Sequence, residues 1–175
     1  MRTSLAALVL LLAPALVLAA PPEKLYYLGE VKLSNPAGQP IGSQVTLVEK
    51  TVDRDNSVIT ERAIVVRPDG KTEEYPVRME IKPDGSFVVN NEDKSVEGSG
   101  KLSGPAWKWT YFKATFKVKS GVTIEDENFM ADDSVITARK KVMAPDGKVI
   151  VFMDESVKAI SPKTFEILRA GLMKK

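Results

Sequence analysis

The sequence predicts an all-β protein, an antiparallel up-and-down meander closed or nearly closed into a barrel. Three observations carry that prediction. The tripeptide Pro-Asp-Gly occurs three times, at Pro68-Asp69-Gly70, Pro83-Asp84-Gly85 and Pro145-Asp146-Gly147, each time between β-type runs. Proline presets φ at the first central position of a turn, aspartate suits the second, and glycine takes the left-handed conformation that rejoins the ladder. Up to eleven short strand segments follow one another with tight connections, and no long stretch beyond the leader shows a helical period. Gly98, Gly100 and Gly104 recur within one strand-like segment, as a sheet needs where it bends to close on itself.

Taken in order, residues 1–19 read as an export signal. Arg2 supplies the positive start, residues 5–18 are apolar, and Val17 and Ala19 suit the −3 and −1 positions of a cleavage site. Pro14 interrupts the apolar run, which falls short of the ~20 residues of a spanning helix, so no membrane span is expected after processing. Residues 23–170 are expected to form a single β-barrel domain, and 171–175 a frayed tail. Leu25, Tyr27, Gly29, Val31 and Leu33 alternate with Lys24, Tyr26, Glu30 and Lys32, which is a strand with one dry face. Residues 34–42 contain two prolines and two glycines, read as the long loop and the candidate lid. Strands are expected at 44–53 and 57–67, joined by the polar turn Arg54-Asp55-Asn56. The strand at 72–82 carries Pro76, which implies an edge position or a bulge.

Further strands are expected at 86–90, 95–103, 106–119, 122–130, 134–143 and 148–158. Polar turns fall at 91–94 and at Asp132-Asp133-Ser134. Residues 164–169 read as a last strand or a short helix. By this count the turns at Pro68 and Pro145 share one rim with the 34–42 loop, and the turn at Pro83 lies at the opposite end.

Composition narrows the chemistry. The chain has no cysteine, which excludes disulfides and a lipidated N-terminal cysteine. It has no histidine, which removes the commonest general base, zinc ligand and haem ligand. A formal charge of +2 gives no reason to expect nucleic acid or an anionic lipid surface as partner. No cofactor, no metal and no catalytic residue is expected.

Three groups of residues stand out as candidate ligand contacts. On an unbroken strand Trp107, Trp109 and Tyr111 share one face and Phe112, Ala114, Phe116 and Val118 the other. Either the aromatic trio lies outside, or a bulge near Tyr111 turns it into the barrel mouth, where such rings suit a ligand wall. A second group is acidic, Glu125, Asp126 and Glu127, then Asp132 and Asp133; it lacks the glycine and terminal glutamate of an EF-hand, and alternation sends Asp126 opposite to Glu125 and Glu127, which dilutes any calcium site. The third group is charge within apolar strands: Arg62, Arg139 and Glu155. These are rim residues if the strands stop early and lumen residues if they do not, and buried charges need partners.

From Gly98 to Tyr111 the chain reads Gly-x-Gly-x-x-x-Gly-x-Ala-x-x-Trp-x-Tyr, followed by an acidic strand with Asp126 and Met130, then Arg139. Behind a leader and a meander, this order resembles the lipocalin-like (calycin) domains of exported bacterial proteins of uncharacterised function. The resemblance implies a lipocalin-like barrel with an internal pocket for a small, mostly apolar molecule. It implies that Trp109 and Tyr111 match the family's aromatic pair, and Asp126 and Met130 its acidic strand. Relatives that hold haem use a histidine, which this chain lacks.

The expected function is therefore a non-catalytic, exported barrel, periplasmic or secreted, that binds a small hydrophobic molecule. An envelope structural or interaction protein with a side-chain-filled barrel is the alternative. A carboxylate-based enzyme is the third reading.

Overall fold

The computed structural model describes residues 22–91, 94–104, 109–132 and 135–172. Ten strands run in chain order: β1 (Glu23–Ser34), β2 (Pro40–Asp53), β3 (Val58–Val66), β4 (Thr72–Ile81), β5 (Ser86–Asn90), β6 (Val96–Ser103), β7 (Tyr111–Val118), β8 (Thr123–Asp132), β9 (Val135–Met143) and β10 (Val149–Ala159). One helix, α1 (Pro162–Leu172), follows. Every strand pairs antiparallel with its sequence neighbours, and β1 also pairs with β10, so the sheet closes into a barrel. Among the described residues no helix is long and apolar enough to cross a membrane.

The three Pro-Asp-Gly turns are built alike. Gly70, Gly85 and Gly147 have φ of 80, 79 and 82°. Each glycine N–H donates to the carbonyl three residues back: Arg67, Lys82 and Ala144. Each aspartate carboxylate accepts the N–H two residues on, at 3.0–3.1 Å. The sequence makes the turn twice more without the tripeptide, at Gly38 and Gly121, with φ of 79 and 84°. The turn at Gly38 overturns the expected lid. β1 reaches Ser34, β2 begins at Pro40, and Asn35 both donates to the Gln39 carbonyl and accepts from Gly38. Residues 34–42 thus form a tight hairpin, because Asn35-Pro36-Ala37-Gly38 carries the same turn chemistry. Contacts between the Gly42 and Pro68 regions, and between Gly121 and Pro145, place these turns on one rim, called the upper rim below.

Two glycines answer to packing. A Cβ on Gly98 would press on the Phe116 ring, and one on Gly100 would collide with the Phe87 ring. Both rings occupy space that a side chain on β6 would need, and both belong to the packing of the lower end of the barrel. There Val52, Ile59, Ile81, Phe87, Val89, Leu102 and Ala114 form the main buried cluster.

Pro76 sits where β4 lacks a partner. β5 pairs only with Arg78–Ile81, so residues 72–77 have no β5 neighbour, and β4 there is an edge. The short β5 notches the upper wall beside Tyr75 and Val77.

The last element is a helix, capped by Ser161, whose Oγ accepts the Thr164 N–H at 3.1 Å, with Pro162 in the first helical position. α1 lies on the outside of the barrel, where Phe165 packs on Leu47, Ile64, Tyr26 and Leu28. The polar turns expected at 91–94 and 132–134 fall partly outside the described residues; of the tail expected at 171–175, residues 171–172 belong to α1 and 173–175 lie outside the described residues.

Candidate functional site

Pairing registers fix which side chains share the lumen. Tyr27 opposes Val48, Val48 opposes Ala63, and Ala114 opposes Asp126, which opposes Lys140. Continued round the barrel, one face carries Gly29, Thr46, Lys50, Glu61, Asp126, Asn128, Lys140 and Glu155. The middle layer of the lumen is thus ionic, directly above the apolar lower cluster.

Its centre is Lys140. The ammonium donates to Glu155 Oε2 at 2.6 Å and stands 4.0 Å from Asp126 Oδ2. Glu155 Oε1 accepts from Thr46 Oγ1 at 2.9 Å, so this carboxylate is fully partnered. Asn128 Nδ2 donates to Asp126 Oδ1 at 2.7 Å. Asp126 and Glu155 are only 7% and 9% exposed. Beside them Lys50 pairs with Glu61 at 3.2 Å, and its ammonium stands 5.5 Å from the Tyr27 ring centroid.

Burial and charge pull these groups apart. Burial lifts Asp126 above the ordinary aspartate value; Lys140 opposes that rise, and the charge on Glu155 adds to it. Burial also acts to raise Glu155, but the charge and hydrogen bond of Lys140 outweigh it and hold Glu155 below the ordinary value. Burial acts to lower Lys140, and the charges of Asp126 and Glu155 override it, keeping the ammonium fully protonated. Glu155 and Lys140 therefore form an ion pair, and Asp126 is the strained member of the cluster.

The residues singled out from sequence separate into three places. Asp126 and Glu155 meet in the lumen through Lys140, and Met130 shares their inward face on β8. Trp109 packs at the lower end, 4.9 Å from the Phe112 ring, in contact with the main buried cluster. Tyr111 points outward and packs, tilted, against Phe129 at 5.0 Å between ring centroids, so Trp109 and Tyr111 do not share a wall. β7 begins only at Tyr111, and strand alternation does not extend back to Trp109. Trp107 lies outside the described residues.

Arg62 and Arg139 are on the outer surface, which closes the lumen alternative for both. Arg62 pairs with Glu74, and Arg139 pairs with Asp154 at 3.3 Å. The apolar look of the Arg62 face has a physical source: Ile64, on that same face, is covered by α1. Arg139 edges an open outer groove of about 540 Å³, which also includes Phe129, Glu30 and Lys32.

Sequence reading missed Thr46, Lys50, Asn128 and Lys140. The signal was available for the lysines. Lys140 interrupts Ile136, Ala138 and Val142, and Lys50 interrupts Val48 and Val52, just as Glu155 interrupts its own apolar face.

No family model and no curated protein sequence matches the chain. Solved structures do. An S-type phycobiliprotein lyase, CpeS, from Guillardia theta aligns over 78% of this chain and 87% of its own, at 7% identity and a TM-score of 0.51. Aphrodisin, a sex pheromone from female hamster, aligns over 89% and 88%, at 13% identity and a TM-score of 0.37. The first likeness establishes a shared fold, and the closed up-and-down barrel is lipocalin-like in architecture.

Proposed function

We propose that the protein is a binding barrel that holds a small hydrophobic molecule in its lumen, the polar end of that molecule meeting the Asp126–Lys140–Glu155 cluster. The observation that supports this most is the cluster itself. Ion pairs taken out of water contribute little net stability, so a fold has no need of them in its middle layer. Buried carboxylates shifted in opposite directions around one ammonium, above an apolar floor, are a polar centre that a ligand site can use. Phe112, Phe116 and Met130 supply apolar surface near Asp126 on β7 and β8, and the notch beside β5 offers a way in. A barrel of about this strand number has room for one such molecule. The apolar leader at 1–19 supports a place of action outside the cytoplasm, periplasmic or secreted.

The test is a titration with N-phenyl-1-naphthylamine, a neutral probe that fluoresces in apolar surroundings. The expected result is saturable uptake of one probe per chain, abolished by Ala114→Phe, whose ring projects from an inward position beside Asp126, in variant protein that keeps a cooperative urea transition. Unsaturable uptake, or uptake indifferent to Ala114→Phe, would contradict the reading.

A further inference from the structure

We propose that the ligand of the lumen carries a protonated amine, bound by Asp126 Oδ2 and Asn128 Oδ1. The inference rests on the binding reading above and names the chemical class of the molecule.

It starts from a charge count. The middle layer holds three carboxylates, on Glu61, Asp126 and Glu155, and two ammonium groups, on Lys50 and Lys140. Lys50 is matched to Glu61 at 3.2 Å and Lys140 to Glu155 at 2.6 Å. Asp126 is the carboxylate left over. Lys140 is already committed, and at 4.0 Å it is beyond hydrogen-bond reach of Asp126 Oδ2.

A second observation concerns access. Asp126 is 7% exposed, and Asn128 is equally buried. Asp126 Oδ1 is taken by Asn128 Nδ2, which leaves Asp126 Oδ2 and Asn128 Oδ1 without a donor. Yet among the described residues no side-chain oxygen or nitrogen is both sealed from solvent and unpartnered. Both free oxygens therefore look onto space that solvent can enter. With Asp126 ionised they are acceptors only, and they belong to neighbouring inward positions of one strand. A group that satisfies two acceptors and cancels one negative charge is a cationic donor, which an ammonium is.

A metal ion fits less well. Among the described residues no group of three or more acidic or other metal-ligating side chains converges. A ligand carboxylate would face an already negative layer. The residues that flank Asp126 and Asn128 on the adjoining strands include the small, apolar Ala114 and Ala138, which bring no further charge to them.

The experiment is calorimetric titration of the protein with three probes of equal chain length: dodecylammonium and dodecanoate below their micelle concentrations, and dodecanol below its solubility limit. The titratable or polar groups facing Asp126 are Lys140 on β9, Glu155 on β10, Glu61 on β3, Lys50 on β2 and Asn128 on its own strand; β7 presents only the apolar Phe112, Ala114 and Phe116. At neutral pH the ammonium is expected to bind about tenfold more tightly than the alcohol, the worth of one charge-assisted hydrogen bond. Asp126→Asn should remove that advantage and leave the alcohol unchanged. In the unaltered protein the advantage should shrink as acid protonates Asp126, which provides a test that needs no variant.

Tightest binding by dodecanoate, or an ammonium advantage that survives both Asp126→Asn and acid, would overturn the amine while leaving a lumen ligand in place. Failure of all three probes to bind would overturn the lumen reading itself, and the amine with it.

Discussion

Thr46 and Glu155 are hydrogen-bonded at 2.9 Å although a whole strand lies between theirs. Thr46 is on β2, Glu155 on β10, and β1 separates them. The contact passes over Gly29. A Cβ there would collide with Thr46 Oγ1 and stand 3.0 Å from Glu155 Oε1. The missing side chain of Gly29 is the space in which the two meet.

Gly29→Ala should therefore displace Thr46 and loosen Glu155. The expected loss is about 2 kcal/mol, in the range of overpacked interiors. Urea unfolding should show a lower midpoint with an unchanged slope. Thr46→Ala combined with Gly29→Ala should cost less than the sum of the two, since both act on the same contact.

Lys140→Met strips the counter-ion from buried Glu155 and takes away the positive charge that stands 4.0 Å from Asp126. A loss of about 3–5 kcal/mol is expected, as when one partner of a buried ion pair is removed. Adding Glu155→Gln should recover part of it, because one uncompensated charge then disappears. Equal stability of the single and double variants, measured by urea midpoint, would show that Lys140 is not the hub.

Stability should depend on pH with opposite signs at the two carboxylates. The lowered value of Glu155 contributes stability that is present above the ordinary glutamate value and lost as pH falls through its folded value. The raised value of Asp126 has the reverse sign: the folded state binds the extra proton, so stability falls as pH rises from the ordinary aspartate value through the folded one. Relative to the unaltered protein, Asp126→Asn should gain stability on going from pH 3 to pH 7, and Glu155→Gln should lose it. Urea midpoints across that range check both signs.

The two aromatic residues once placed on one face should behave differently. Trp109→Ala removes a ring packed on the lower core and should cost about 2–3 kcal/mol, whereas Tyr111→Ala, on the outer surface, should cost less than about 1 kcal/mol. On the opposite side, Phe165→Ala should cost about 3–4 kcal/mol, since this fully buried ring holds α1 over Leu47 and Ile64. Thermal or urea unfolding of the three variants ranks them directly.

The contrast between these residues shows how far the sequence was legible. Turn chemistry is local, and Pro68, Pro83 and Pro145 announced the hairpins and their rims from three residues each. Pro76 announced the edge of β4 in the same way. The lid failed because Pro36 and Gly38 were read as looseness when they are turn residues. For residues 164–169 a strand and a helix both fit the local pattern, although Ser161-Pro162 is a helix start; without α1 in place over Ile64, the apolar run beside Arg62 fits a rim or a lumen position equally. The site was harder still. Glu155 and Asp126 were visible as anomalies on their strands. That they share Lys140, and that Thr46 reaches Glu155 over Gly29, depends on β1 closing against β10, which no local pattern encodes.

The claim on which the rest depends is that the middle of this barrel is a place for a molecule. Native mass spectrometry of the protein purified from its own cells tests it most directly. The predicted result is a fraction of chains carrying one small non-covalent amphiphile, released on unfolding and missing from Ala114→Phe. A bare chain mass throughout, in protein that also takes up none of the amphiphiles extracted from those cells, would contradict it.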